Sequence, residues 1–319
     1  MLPLPLPGIA LAGRLLLSRY NNGSLPGKNK SNYRLRPQTK PVSRKSVPMK
    51  NPIQSLVDGL TSTLSQITQK AVGEDYTRVV RDFIPREATL LAPQFPTKSQ
   101  SIQFADLDGD SENEMITSYR SGNEVKTLIL KKQNGFWGKI SEISHSQHDT
   151  LHYRSFIDAK GAGKKYMLMG MTSKERASTL YGYAMENNGV RELFARNYHR
   201  FEVLNSPQNR DASAKVQLAI WNQKDFGSHD VEVLNWNGLQ LEEVENSSAY
   251  YSRNVVPYYV RRVKKSPNIS THWYNLADAL VKAGAHKDAL VAIDVGMGQN
   301  RDSSLSEKFE ALRNKINTK

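Results

Sequence analysis

The chain repeats itself, and that limits the folds open to it. Three stretches of about fifty residues follow one pattern: a polar loop, an apolar strand, a turn, a second strand and an Asn-Gly. The loops begin at Asp106, Asp158 and Asn209, spaced 52 and 51 residues apart. The first strands are Met115–Thr117, Met167–Gly170 and Leu218–Trp221, and the second are Val125–Leu130, Thr179–Ala184 and Asp230–Trp236. Each copy closes on an Asn-Gly (134–135, 188–189, 237–238), the dipeptide that best supports a tight hairpin turn. A period near fifty with about four strands per unit is that of propeller blades, which normally number about four or more. Three copies predict an incomplete propeller over residues 86–247, or one that borrows strands from residues 88–103.

The flanks read as helical, so the fold class is α+β. Ile53, Leu56, Val57, Leu60, Leu64 and Ile67 recur at helical spacing, giving an amphipathic helix within residues 51–75. Its Ser/Thr/Gln-rich polar face argues for docking on the main domain rather than on a membrane surface. In residues 250–319, Trp273, Leu276, Ala277, Leu280, Ala289, Ile293 and Gly296 have the spacing of a tetratricopeptide (TPR) helix–turn–helix unit. Ser304–Ile316 follows as a capping helix, with Leu305, Phe309 and Leu312 facing inward.

Charge is concentrated at one end. The chain of 319 residues carries 44 Lys/Arg against 31 Asp/Glu, a net +13. Residues 1–50 hold ten of the basic residues and no acidic one, leaving 34 against 31 for the rest. A body at +3 lacks the wide basic face that specific nucleic-acid binding needs. Residues 1–50 read as a disordered basic tail. Its positions 14–50 are either a contact to an anionic surface, such as lipid headgroups or wall polymers, or a solvated spacer. The opening MLPLPLPGIALAG has the length of a secretory apolar run but no preceding basic residue. Leu11-Ala12-Gly13 resembles the end of a lipoprotein signal, but Arg14 stands where the lipid-bearing cysteine belongs. The expectation is an extracytoplasmic or membrane-associated protein without a spanning helix, since no apolar run reaches about 18 residues. Zero cysteines exclude disulfides, thiol catalysis and cysteine-ligated metals.

The most specific chemical signal is Asp106-Leu107-Asp108-Gly109-Asp110-Ser111-Glu112-Asn113-Glu114. Hard cations such as calcium take six to eight oxygen ligands, and carboxylates at alternate loop positions converge on one ion. Asp106, Asp108 and Asp110 alternate, Gly109 permits a tight turn, and Glu112 and Glu114 are candidates to close the shell. The loop is not an EF-hand, because Thr117 stands at position twelve, where that motif needs a bidentate Glu. A loop closed at position nine and running straight into a strand resembles the FG-GAP/VCBS repeats of integrin-type propellers. The resemblance covers about 140 residues and implies a calcium-binding loop between blade strands. It is strong only in the first copy. The second has Asp158, Lys160, Ala162 and Tyr166 at matching positions, beside Lys164 and Lys165; the third has Asn209, Asp211, Ser213 and Gln217. Any metal is therefore expected to be structural. With its TPR-like end, the layout is also similar to that of uncharacterised bacterial envelope proteins and lipoproteins.

Other motifs carry little. His148-Asp149-Thr150-Leu151-His152 has the histidine spacing of HExxH but lacks its glutamate. On a strand, residues four apart are about 13 Å apart, too far for one zinc, so His145, His148 and His152 read as solvent-facing. Gly161–Lys165 fails the phosphate-loop pattern at Asp158 and Lys165, and there is no G-x-S-x-G elbow. Trp137, Trp221 and Trp236 read as core packing before a carbohydrate platform. The basic run Arg261–Lys265 suits a helix end. The leading expectation is a non-catalytic, envelope-associated scaffold that binds a protein or peptide through the TPR-like hairpin or the β platform. Two alternatives stand beside it: a hydrolase or lyase acting on an envelope polymer, and an anionic-polymer binder working through the tail.

Overall fold

A computed structural model describes residues 7–20, 74–159, 163–174, 176–186, 189–205, 216–224, 228–300 and 302–318. Among them the repeats form three antiparallel sheets, one per copy. The first sheet contains β1 (Thr89–Leu91), β2 (Ile102–Ala105), β3 (Glu114–Ser121), β4 (Glu124–Gln133) and β5 (Phe136–His145). Both β1 and β2 lie along β3, pairing with Ser118–Arg120 and Glu114–Thr117 respectively. The first copy thus completes its sheet with short strands from residues 88–105. The second sheet is β6 (Thr150–Ile157), β7 (Tyr166–Thr172), β8 (Ser178–Glu186) and β9 (Gly189–Tyr198), in that order. The third is β10 (Arg200–Asn205), β11 (Val216–Gln223), β12 (His229–Trp236) and β13 (Leu241–Glu243), also in sequence order.

The sheets stack, and this explains the unbroken apolar runs of their central strands. Residues of β3 and β7 are buried on both faces, so neither strand shows the alternation of a half-solvated sheet. Ile116, Val125 and Ile129 of the first sheet meet Met167, Met169 and Met171 of the second. On its other face the second sheet packs Leu168, Leu180 and Ala184 against Leu218, Ile220, Leu234 and Trp236 of the third. The two outer faces are covered by helices. Val80 of α2 (Tyr76–Arg81), with Ile84 and Ala88, lies on Met115, Tyr119 and Leu128. Ala219, Trp221, Val231 and Val233 of the third sheet lie under the C-terminal helices. In a closed ring the two terminal blades would meet. Here helices occupy both faces, and the architecture is a capped stack rather than a closed propeller.

Polar side chains tie the first joint. Arg154 of β6 is fully buried; it donates to Gln103 Oε1 at 2.5 Å, Ser118 Oγ at 3.0 Å and the Ser101 carbonyl at 2.8 Å. Burial lowers its pKa to about 9. His145 and His148 are also buried, against Tyr181 and Tyr183. The solvent-facing expectation for these two histidines is therefore corrected: the strand end that carries them is covered by the neighbouring sheet.

The C-terminal region starts with α3 (Ser248–Tyr250), which passes through a π-helical turn (Tyr251–Val255) into α4 (Val256–Lys265). Then follow α5 (Ser270–Lys282), α6 (His286–Gln299) and α7 (Ser303–Asn317). Trp273, Leu276, Ala277 and Leu280 pack with Ala289, Ile293 and Phe309, as the repeat spacing predicts. The basic run Arg261–Lys265 does close a helix.

The N-terminus differs from expectation. Pro7–Arg19 form a helix, α1, seated on α6. Its apolar residues are not an isolated run: Leu16 and Tyr20 are buried in the core of the helical region. Residues 51–73 of the proposed helix at 51–75 and most of the tail lie outside the described residues, as does the loop of the third copy. No described helix is long and apolar enough to cross a membrane.

Candidate functional site

The first repeat loop connects β2 to β3, and its own side chains fold it. Both Asp106 oxygens accept backbone N–H groups, from Gly109 at 2.6 Å and Ser111 at 3.0 Å. Asp108 Oδ1 accepts from Asp110 N–H at 3.2 Å, and Asp110 Oδ1 from Glu112 N–H at 2.9 Å. Gly109 turns with φ +89°, and even a Cβ there would meet Lys164 Cβ at 3.3 Å. Glu114, the first residue of β3, is fully buried, and its Oε2 accepts from Leu107 N–H at 2.6 Å.

Each of Asp108, Asp110 and Glu114 thus commits one oxygen to the backbone and turns the other inward. Those inner oxygens converge on the ammonium of Lys131, from β4. Lys131 donates to Asp108 Oδ2 and, at 2.6 Å, to Asp110 Oδ2; its Nζ lies 3.4 Å from Glu114 Oε1. Glu114 Oε1 has no hydrogen-bond donor. Burial raises the Glu114 pKa above the usual range, partly offset by the Leu107 N–H. Burial works to lower that of Lys131, but the bonds from Asp108 and Asp110 outweigh it and hold it above its ordinary value. The Lys131 bond, then the Glu112 N–H, lowers Asp110.

Asp106, Asp108 and Glu114 place ligand oxygens within 4.8 Å of one another and could hold a metal ion. Asp110 is joined to them through Lys131, and Glu112 is exposed. Of the five loop acids named from sequence, three come within reach of one ion: Asp106, Asp108 and Glu114. The missed residue is Lys131, seventeen positions beyond Glu114 in an ordinary-looking strand. A β3–β4 hairpin register would have placed it near the loop, since Met115 pairs with Leu130.

The described residues of the second loop keep one of these bonds but lack the later acids. Asp158 Oδ2 accepts from Gly163 N–H at 2.9 Å, five residues on, as Asp106 Oδ2 does from Ser111. Lys165 Nζ lies 3.7 Å from Asp158, and Tyr166 fills the place of Glu114.

Two other features bear on function. On the helical region, Arg19 Nη1 and Tyr20 Oη both reach Asp288 in the first turn of α6, each at 2.7 Å. Gly13 lets α1 approach closely, since a Cβ there would lie 3.2 Å from Val295 and 3.3 Å from Trp273. Between the third sheet and the helices lies a cavity of about 550 Å³, lined by Lys224, Asp230, Asp278, Lys282, Asp302 and Lys308 among others. Its carboxylates are engaged: Asp230 with Lys224 at 3.0 Å, Asp278 with Lys282 at 3.0 Å, and Asp302 with Ser304 N–H at 2.9 Å. The aromatic residues of the third sheet serve packing, with Trp221 and Trp236 both buried.

Compared with models of known protein families and with curated proteins, the chain matches none.

Proposed function

We propose that this protein is a non-catalytic interaction scaffold, whose helical region captures an amphipathic helix and whose β stack is a rigid mount. The observation that carries this reading is α1 itself. The hairpin α5–α6 already holds a helix, through apolar contacts from Leu16 and a polar clamp on Asp288. That is the helix-in-groove mode, in which anchors at helical spacing carry affinity. In the 550 Å³ cavity Asp230 and Asp278 each pair with a lysine, an arrangement of ion pairs rather than of two facing carboxyl groups, which supports the same reading over a hydrolase or lyase.

The metal part of the proposal is a structural calcium ion in the first loop, ligated by Asp106, Asp108 and Glu114 in the manner of an FG-GAP-like repeat. With the FG-GAP-like reading goes a place outside the cytoplasm or at the envelope, where weak calcium modules work.

The test of the helix-capture reading is a titration. A synthetic peptide of residues 7–20 is added to full-length protein in which Leu16→Asp and Tyr20→Ala undock the resident helix. Fluorescence of Trp273, which lies beside Gly13, reports the result. The reading predicts a saturable change that Asp288→Ala weakens about tenfold, roughly the 1.4 kcal/mol of a charge-assisted bond. A flat titration contradicts it.

A further inference from the structure

The three inner oxygens of the first loop already surround a cation, and that cation belongs to the chain. Lys131 Nζ is hydrogen-bonded to Asp108 and Asp110 and lies 3.4 Å from the buried Glu114 Oε1. Calcium–oxygen contacts are about 2.3–2.6 Å. A metal ion sharing the Asp108 carboxylate with the ammonium would therefore lie within about 5 Å of it, in a site only partly open to water. Glu114 matters most here. Its fully buried Oε1 makes no well-aligned hydrogen bond and has the Lys131 ammonium, 3.4 Å away, as its counter-charge.

We infer that Lys131 is the resident cation of this loop and the competitor of any divalent ion, which enters only by driving the ammonium out. The inference rests on reading the loop as a calcium site and adds what sets its affinity. The fold provides the exit. A cleft of about 470 Å³ adjoins the loop between the first and second sheets, and Asp108, Lys131, Gln133, Lys164 and Glu186 line it. A displaced Lys131 side chain reaches water there without leaving its strand. The exchange is felt by the next repeat, because the Asp106 carbonyl accepts from Lys165 N–H at 2.7 Å and Gly109 lies where a Cβ would meet Lys164 Cβ at 3.3 Å. Calcium in this scheme trades an internal ion pair for an external ion, and binds weakly for that reason.

The experiment is calorimetric titration of calcium chloride into the full-length protein, its Lys131→Gln and Lys131→Arg variants, and Lys131→Gln combined with Asp108→Asn. Melting in EDTA and in calcium is measured beside it. The inference predicts that Lys131→Gln binds calcium at least about tenfold more tightly than the native chain. Lys131→Arg, which keeps the charge, stays as weak as the native chain, and Asp108→Asn abolishes the gain. If Lys131→Gln folds only when calcium is present, that also supports the inference, since the metal then supplies the missing cation. Equal affinity for the native chain and Lys131→Gln overturns the competition and leaves the calcium site standing. No calcium binding by any of the proteins overturns the calcium reading and the competition with it.

Discussion

The first and second repeat loops start alike and end differently. Asp106 and Asp158 share one bond, each accepting with Oδ2 the N–H five residues on, from Ser111 and Gly163. Both are followed by a central strand buried on two faces. The divergence comes at the last loop position. In the first copy Glu114 turns a carboxylate back into the loop. In the second, Tyr166 reaches forward to the next sheet and meets Trp236 edge-on, ring centroids 5.6 Å apart. The comparison teaches that the opening aspartate of such a loop is a folding residue, and that cation chemistry needs the acids after it. It also shows what each copy does with its last loop position: the first sets a carboxylate beside the Lys131 ammonium, and the second packs an aromatic between sheets.

Substitutions at the matched positions break the comparison most strongly. Tyr166→Ala removes a buried aromatic from the joint between the second and third sheets, and is expected to cost roughly 3 kcal/mol in thermal or urea unfolding. Glu114→Gln keeps an acceptor for Leu107 and leaves the packing intact, so in EDTA it is expected to change stability by less than about 1 kcal/mol. Costs of similar size at the two positions would mean that the loops do not differ as described.

Acid sharpens the comparison at the other joint. Burial, with the neighbouring His148 adding to it, lowers the His145 pKa to about 4, and burial also lowers those of His148 and His152. The unfolded chain therefore binds more protons than the folded one between about pH 6.5 and 4. The stabilising contribution is complete above pH 6.5 and is lost as pH falls through that window. Integrated for His145 alone it amounts to about 3 kcal/mol at most. Urea unfolding from pH 7 to 4 should show this slope, and His145→Phe should reduce it. A slope unchanged by that substitution would remove His145 from the account.

A small loss is expected from the feature the two loops share. Asp106→Ala and Asp158→Ala each delete a side-chain acceptor for turn N–H groups on an exposed loop, and each is expected to cost about 1 kcal/mol. A loss confined to Asp106 would make that residue a specialist of the first loop.

Much of this was legible in the sequence. The repeat period, the Asn-Gly turns and the apolar runs placed three sheets, and the spacing from Trp273 to Gly296 placed the helical hairpin. Local patterns report local structure well because hydrophobic period and turn chemistry act over a few residues. What escaped was tertiary. Lys131 meets the loop only through the register of the β3–β4 hairpin, which the strand's own sequence does not mark. Arg154 and His145 look like surface residues until a second sheet covers them. Leu16 and Tyr20 look like part of a polar tail until α6 supplies a partner. The capped stack was also beyond the repeat pattern, since whether blades close into a ring depends on what covers the two outer faces.

The most direct measurement is the NMR signal of the Lys131 ammonium in protein labelled with ¹⁵N-lysine, recorded near neutral pH while calcium is added. The account predicts a protected Nζ resonance without calcium, absent in Lys131→Gln, that disappears as calcium fills the loop and as the Gly109 amide shifts. No protected ammonium in the absence of calcium, or one untouched once the Gly109 amide has shifted fully, would contradict it.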